Sequence, residues 1–137
     1  MQANLDAVER ARQRWNAGDL PGYLELYDDA IQLHGYSPEA MDKAAVTAFY
    51  EDVFAAFDSP QLEFEDTLAA GDRVVIRFTM TGRHRGAFMG VPATGTDVAL
   101  PGITILRFGE GGKAIERWSS ADMLGLLVQL GAVPAPA

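Results

Sequence analysis

No cysteine occurs among the 137 residues, which excludes disulfides, thiolate nucleophiles and cysteine-bound metals and leaves the redox setting open. Histidine is nearly as scarce. His34 and His84 are the only two, and no histidine and acid pair has metal-ligand spacing such as His-x-x-x-His, so the expectation is no metal. Positive charge is also short: eleven Lys and Arg against nineteen acids leave a net charge of −8, which repels phosphate backbones and anionic lipid. Nucleic acid is not an expected partner. No apolar run approaches the roughly 20 residues of a membrane span, and no basic-then-apolar order opens the chain. The expectation is a soluble, cytoplasmic protein with no membrane partner.

What the sequence has in quantity is core material. A hydrophobic fraction of 48% predicts one domain over residues 1–131, with 132–137 a patternless tail expected to be flexible. Leu5, Val8, Ala11 and Trp15 recur at helical spacing until Asn16-Ala17-Gly18 stops them. Asp19 then reads as the cap of a short helix over Leu20 to Leu26, with Pro21 tolerated in its first turn. Ala30 to His34 suits a brief edge strand, and Ser37-Pro38-Glu39 predicts the start of a third helix that ends before Asp58-Ser59-Pro60.

Strand periodicity follows. Leu62, Phe64 and Leu68 lead to a turn at Ala70-Gly71-Asp72, after which Val74, Ile76, Phe78 and Met80 share one face and Arg77, Thr79 and Thr81 the other. Gly82 to Gly95 reads as a long connection, and Val98 to Phe108 as a strand with a bulge or break at Pro101-Gly102. After Glu110-Gly111-Gly112, a last strand changes to a short apolar helix at Asp122. Three helices followed by glycine-linked strands predict an α+β fold: a curved antiparallel sheet wrapped as a cone around the helices, with an apolar cavity between the layers.

A set of short motifs is distributed along this frame: Tyr27 with Asp29 and His34, Gly71-Asp72-Arg73-Val74, Arg77 with Thr81-Gly82-Arg83-His84, and Gly86. They continue through Gly90-Val91-Pro92-Ala93-Thr94-Gly95, Gly102 with Ile105 and Arg107-Phe108, Glu116-Arg117-Trp118, Asp122 and Gln129-Leu130-Gly131. In order and spacing, from about Trp15 to Gly131, they resemble the SnoaL-like polyketide (ester) cyclases of the nuclear transport factor 2-like superfamily. The resemblance implies a cone-shaped α+β barrel, a homodimer formed through the outer sheet, and neither metal nor organic cofactor. It also implies closure of a polyketide ester ring by intramolecular aldol condensation, an isomerase or lyase type of reaction. The pocket aspartate that follows Trp-x-x-x-Asp in such enzymes falls here on Asp122. Ala93, after Pro92, departs from the proline usual before Thr-Gly.

The candidate site is weighed on these terms. Strand alternation places Glu116, Trp118, Ser120 and, if the strand persists, Asp122 on one face. Beside Trp118 a buried carboxyl would be a stronger base than a surface one, suited to remove an α-proton and return it to the alkoxide; the alternative is a cap on the final helix. His34, expected near the barrel mouth, can donate to a substrate oxygen or be a structural histidine. His84, between Arg83 and Arg85, reads as exposed, although the family's similar histidine borders the pocket. Arg107 can polarise a carbonyl or pair with an acid such as Glu116. Tyr27, Phe54, Met80 and Phe88 can line a cavity for a flat ligand or fill the core. The leading expectation is a cofactor-independent cyclase acting on a small hydrophobic carbonyl compound, with Asp122 and His34 as catalytic groups. The alternatives are an isomerase or hydrolase on the same scaffold, and a non-catalytic binding or dimerisation module.

Overall fold

In the computed structural model, which describes residues 1–135, Val8, Ala11 and Trp15 form the buried stripe of helix α1 (Gln2–Asn16). The tail expected over 132–137 therefore ends outside the described residues. Asp19 caps α2 (Leu20–Leu24) by accepting the Gly22 amide at 2.9 Å. Strand β1 spans Tyr27–His34 and begins three residues before the expected start, because Asp28 and Asp29 lie at an irregularity of an edge strand and need no burial.

The third helix is a correction. Leu33 and Met41 exchange two backbone hydrogen bonds of 2.9 Å, which holds the intervening residues outside any helix. Helix α3 therefore runs Lys43–Ala56, capped by Asp42 at 2.8 Å from the Ala45 amide and not by Ser37. Strand β2 (Phe57–Ala70) follows without a linker and absorbs Asp58-Ser59-Pro60 as an irregularity in its register. Strands β3 (Arg73–His84), β4 (Asp97–Phe108) and β5 (Ala114–Ala121) complete the sheet before the short helix α4 (Met123–Gln129).

The five strands form a curved, unclosed sheet in the order β1-β5-β4-β3-β2. Neighbours consecutive in the chain from β2 to β5 are antiparallel, as expected, but β1 pairs with β5 in parallel. No hairpin constrains that pair, since α3 and three strands lie between them in the chain. The alternation read for β3 holds: Val74, Ile76, Phe78 and Met80 are buried on the inner face. The break expected at Pro101-Gly102 is absent, and the β3–β4 ladder runs through both residues. Pro101 lies just past the end of β5, where its missing N–H has no strand to bond, and its carbonyl accepts the Asp122 amide at 3.0 Å. Gly102 makes room for the Phe78 ring, which would lie 2.6 Å from a Cβ at that position.

Beyond the end of β5, the Gln129 side chain takes the place of the missing strand. Its Oε1 accepts the Ala99 amide and its Nε2 donates to the Ala99 carbonyl, both at 2.8 Å. This fastens α4 over the open end of the cone, with Met123 and Leu126 facing inward. Among the described residues no helix is long and apolar enough to cross a membrane.

Candidate active site

Between the inner face of the sheet and α1, α3 and α4 lies a cavity of about 180 Å³, whose lining includes the half-buried Tyr36 and the exposed Met89. Phe49, Val53, Phe78, Met80, Phe88 and Leu100 make most of its wall apolar. The exception is Arg117, which is only 8% exposed and projects from the middle of β5. Its place follows from strand alternation: Arg117 and Ser119 face inward, whereas Glu116 and Trp118 face the outer surface.

The guanidinium is held by neutral oxygens alone. Nε donates to Thr104 Oγ1 at 2.8 Å and to Ser119 Oγ at 2.9 Å. Nη1 donates to the hydroxyls of Tyr23 at 2.9 Å, Tyr27, and Tyr50 at 3.4 Å. None of these bonds uses Nη2, and among the described residues no carboxylate pairs with the group. The tyrosines form a chain of their own: Tyr23 to Tyr27 at 3.0 Å, Tyr27 to Tyr50 at 2.7 Å and Tyr50 to Tyr36 at 2.6 Å.

Burial pushes the Tyr27 and Tyr50 phenols well above the ordinary tyrosine range, although Arg117 pulls the other way, so both are neutral near pH 7. Burial opposes the charge of Arg117, but the surrounding phenol oxygens outweigh it and raise the group well above its ordinary range. The result is a buried positive charge with no counter-ion among the described residues. Such a charge is costly in a low-dielectric interior unless an anion completes the site.

The residues expected to form the site are dispersed. Asp122 is exposed at the N-cap of α4, where Oδ1 accepts the Gly125 amide at 2.8 Å, and it does not line the cavity. The strand ends at Ala121, so the alternation that would have carried its side chain along the sheet stops one residue short. His34, Trp118 and Arg107 lie on the outer face: His34 Nε2 is 2.7 Å from Glu116 Oε2, its ring stacks on Trp118, and Arg107 donates to Glu116 Oε1 at 3.0 Å. His34 and Arg107 together hold the Glu116 carboxyl below the usual range.

His84 is fully buried, not exposed as its arginine neighbours suggested, because the β3 alternation carries it inward against Phe57. Its Nδ1 accepts the Thr94 amide at 3.2 Å, and it does not line the cavity. Met80 and Phe88 do line it, whereas Tyr27 stands behind the wall with its hydroxyl on Arg117. Phe54 faces a wider, more open depression of about 490 Å³ on the far side of Trp15. Arg117 was missed by the sequence reading as a site residue. Its signal was available, since an outward Trp118 requires its neighbour to point inward, but the larger aromatic was given the inner face.

A family model described as SnoaL-like polyketide cyclase matches residues 5–130. Among solved structures, AclR of Streptomyces galilaeus, named as a proposed hydroxylase, is 33% identical over 98% of this chain and 99% of its own, with a TM-score of 0.90. A proposed SnoaL-like polyketide cyclase from Jannaschia is 26% identical over 97% of this chain and 94% of its own, with a TM-score of 0.84. IdmH of Streptomyces antibioticus, a proposed polyketide cyclase, is 26% identical over 93% of this chain and 98% of its own, with a TM-score of 0.79. No curated protein matches the sequence.

Proposed function

We propose, from the premise that the chain belongs to the SnoaL-like polyketide cyclase family, that it performs cyclase-type acid–base chemistry on a small carbonyl compound, with Arg117 rather than Asp122 at the reacting oxygen. The observation that carries this reading is a buried guanidinium in the wall of an apolar cavity, with no bond at its Nη2 among the described residues. A carbonyl oxygen bonded there gains negative charge as its α-proton leaves to water at the mouth, and a preorganised cation in a low-dielectric site stabilises that enolate. The enolate carbon then bonds to a second carbonyl carbon, whose π pair moves to its oxygen. That alkoxide takes a proton from Tyr50, which regains one through Tyr36 from solvent. One proton is lost from carbon and one gained on oxygen, so the closure is a net isomerisation.

The test is α-hydrogen exchange of 2-indanone in D₂O, followed by proton NMR. The protein is expected to accelerate exchange above buffer, Arg117→Met to abolish the acceleration, and Asp122→Asn to keep it. Loss of exchange in a folded Asp122→Asn protein would return the base to Asp122 and overturn this assignment. No acceleration by the wild type would favour a binding module.

A second reading is hydroxylation of a similar ligand, favoured by the likeness to AclR. It requires dioxygen or another oxidant and is distinguished by oxygen uptake with substrate present. The proposal also includes a cytoplasmic homodimer built on the outer sheet face. Leu68, Val75, Ile105 and Trp118 lie in one cross-strand row there, beside Ile103 at 51% exposure. Sedimentation should show a dimer that Ile103→Glu converts to monomer.

A further inference from the structure

We infer that the ligand is a small ring compound with one acidic hydroxyl, a phenol or an enol, bound as its oxyanion through a single oxygen and not as a carboxylate. This rests on the assignment of Arg117 to the ligand but not on catalysis.

Three observations lead there. The first is charge: Arg117 is buried with only hydroxyl partners, and the Tyr27 and Tyr50 phenols around it are neutral, so an anionic ligand supplies the missing counter-charge. The second is the number of free donors. A carboxylate is matched best by two guanidinium nitrogens acting as a fork. Here Nε is held by Thr104 and Ser119 and Nη1 by the tyrosines, which leaves one nitrogen for one oxygen. The third is size. An apolar cavity of roughly 150 Å³ holds one benzene molecule. At about 180 Å³, with Phe49, Phe78 and Phe88 in its walls, this one takes a single ring and a few further atoms.

The tyrosines give the departing proton a route. Four hydroxyls share three contacts, so three of their hydrogens are engaged and one is spare; with the three bonds running one way, the spare hydrogen sits at an end of the chain. One end is Tyr36, partly exposed in the cavity wall. Reversing the chain's polarity moves that hydrogen between the two ends. On binding, the ligand O–H bond breaks, its electron pair stays on the oxygen facing Nη2, and its proton passes to buffer.

The experiment uses 4-nitrophenol, whose oxyanion absorbs visible light and whose neutral form does not, at a pH where the free compound is mostly protonated. Wild-type protein should raise the visible band on binding. Arg117→Met should reduce that band at least tenfold, Arg117→Lys should retain part of it, and 4-nitrobenzoate should compete at least tenfold more weakly than 4-nitrophenol. Circular dichroism of the variants confirms the fold. Binding of the neutral phenol, no binding, persistence of the band in Arg117→Met, or equal competition by the benzoate would each overturn the inference. A visible band without 2-indanone exchange would retain this ligand class and remove the catalytic reading, and exchange without a band would do the reverse.

Discussion

Asp122 separates two accounts of the same residue, and a pair of substitutions distinguishes them. Its Oδ1 holds the Gly125 amide at the start of a seven-residue helix, and the side chain is exposed. Asparagine keeps a capping oxygen and removes the negative charge, so Asp122→Asn should change stability by no more than a few tenths of a kcal/mol. Alanine removes the acceptor and should cost about 1 kcal/mol. Unfolding entropy near 60 °C is about 2.1 cal/mol/K per residue, or roughly 290 cal/mol/K for 137 residues, so that loss lowers Tm by about 3.5 °C. Differential scanning calorimetry with parallel 2-indanone exchange provides both readouts. Asn is expected to match wild type in each, and Ala to melt earlier while its folded fraction stays active. Unchanged melting of Asp122→Ala would refute the cap, and an inactive but normally melting Asp122→Asn would refute its exclusion from the chemistry.

Other perturbations follow from particular contacts. Gly35→Ala should destabilise by more than about 2 kcal/mol in urea titration, because φ there is +96° and a Cβ would lie 1.9 Å from the Ser119 carbonyl oxygen. Gln129→Ala removes both bonds to Ala99 and should cost about 1–3 kcal/mol, with faster hydrogen exchange of the Ala99 amide as its local signature. The lowered Glu116 carboxyl adds stability that is fully present above the ordinary carboxylate range and is lost as pH falls through its depressed value. Glu116→Gln should therefore differ most from wild type at neutral pH and converge with it in acid, as read by urea midpoints across pH.

The buried guanidinium also explains why the site is an exception to the otherwise consistent patterning of the chain. Most other inner-face positions of the sheet are apolar, as at Val74, Ile76, Leu100 and Leu106, and the further buried polar residues there, His84 and Thr104, carry no permanent charge. Arg117 places a charge at an inner position where the hydroxyls of Tyr23, Tyr27, Tyr50, Thr104 and Ser119, from two helices and three strands, converge on it. Replacing it by Met would relieve a buried charge, so the activity it supports and the stability it withholds are expected to be opposed.

Local chemistry was readable without coordinates. Periodicity alone assigned the inner face of β3, the α1 stripe, the turn before β3 and the final helix, since each depends on residues a few positions apart. The same logic misplaced the third helix, because the Leu33 to Met41 bridge that delays it joins residues that no local pattern links. It also left β5 with its faces inverted. Alternation tells which residues share a side but not which side meets the core, and that choice depends on where the helices pack. Packing brings three tyrosines, Tyr23, Tyr27 and Tyr50, onto a guanidinium that even the nearest of them, Tyr50, precedes by 67 positions in the chain. It also leaves Asp122 at a helix end in solvent, because the strand that would have carried it inward stops at Ala121.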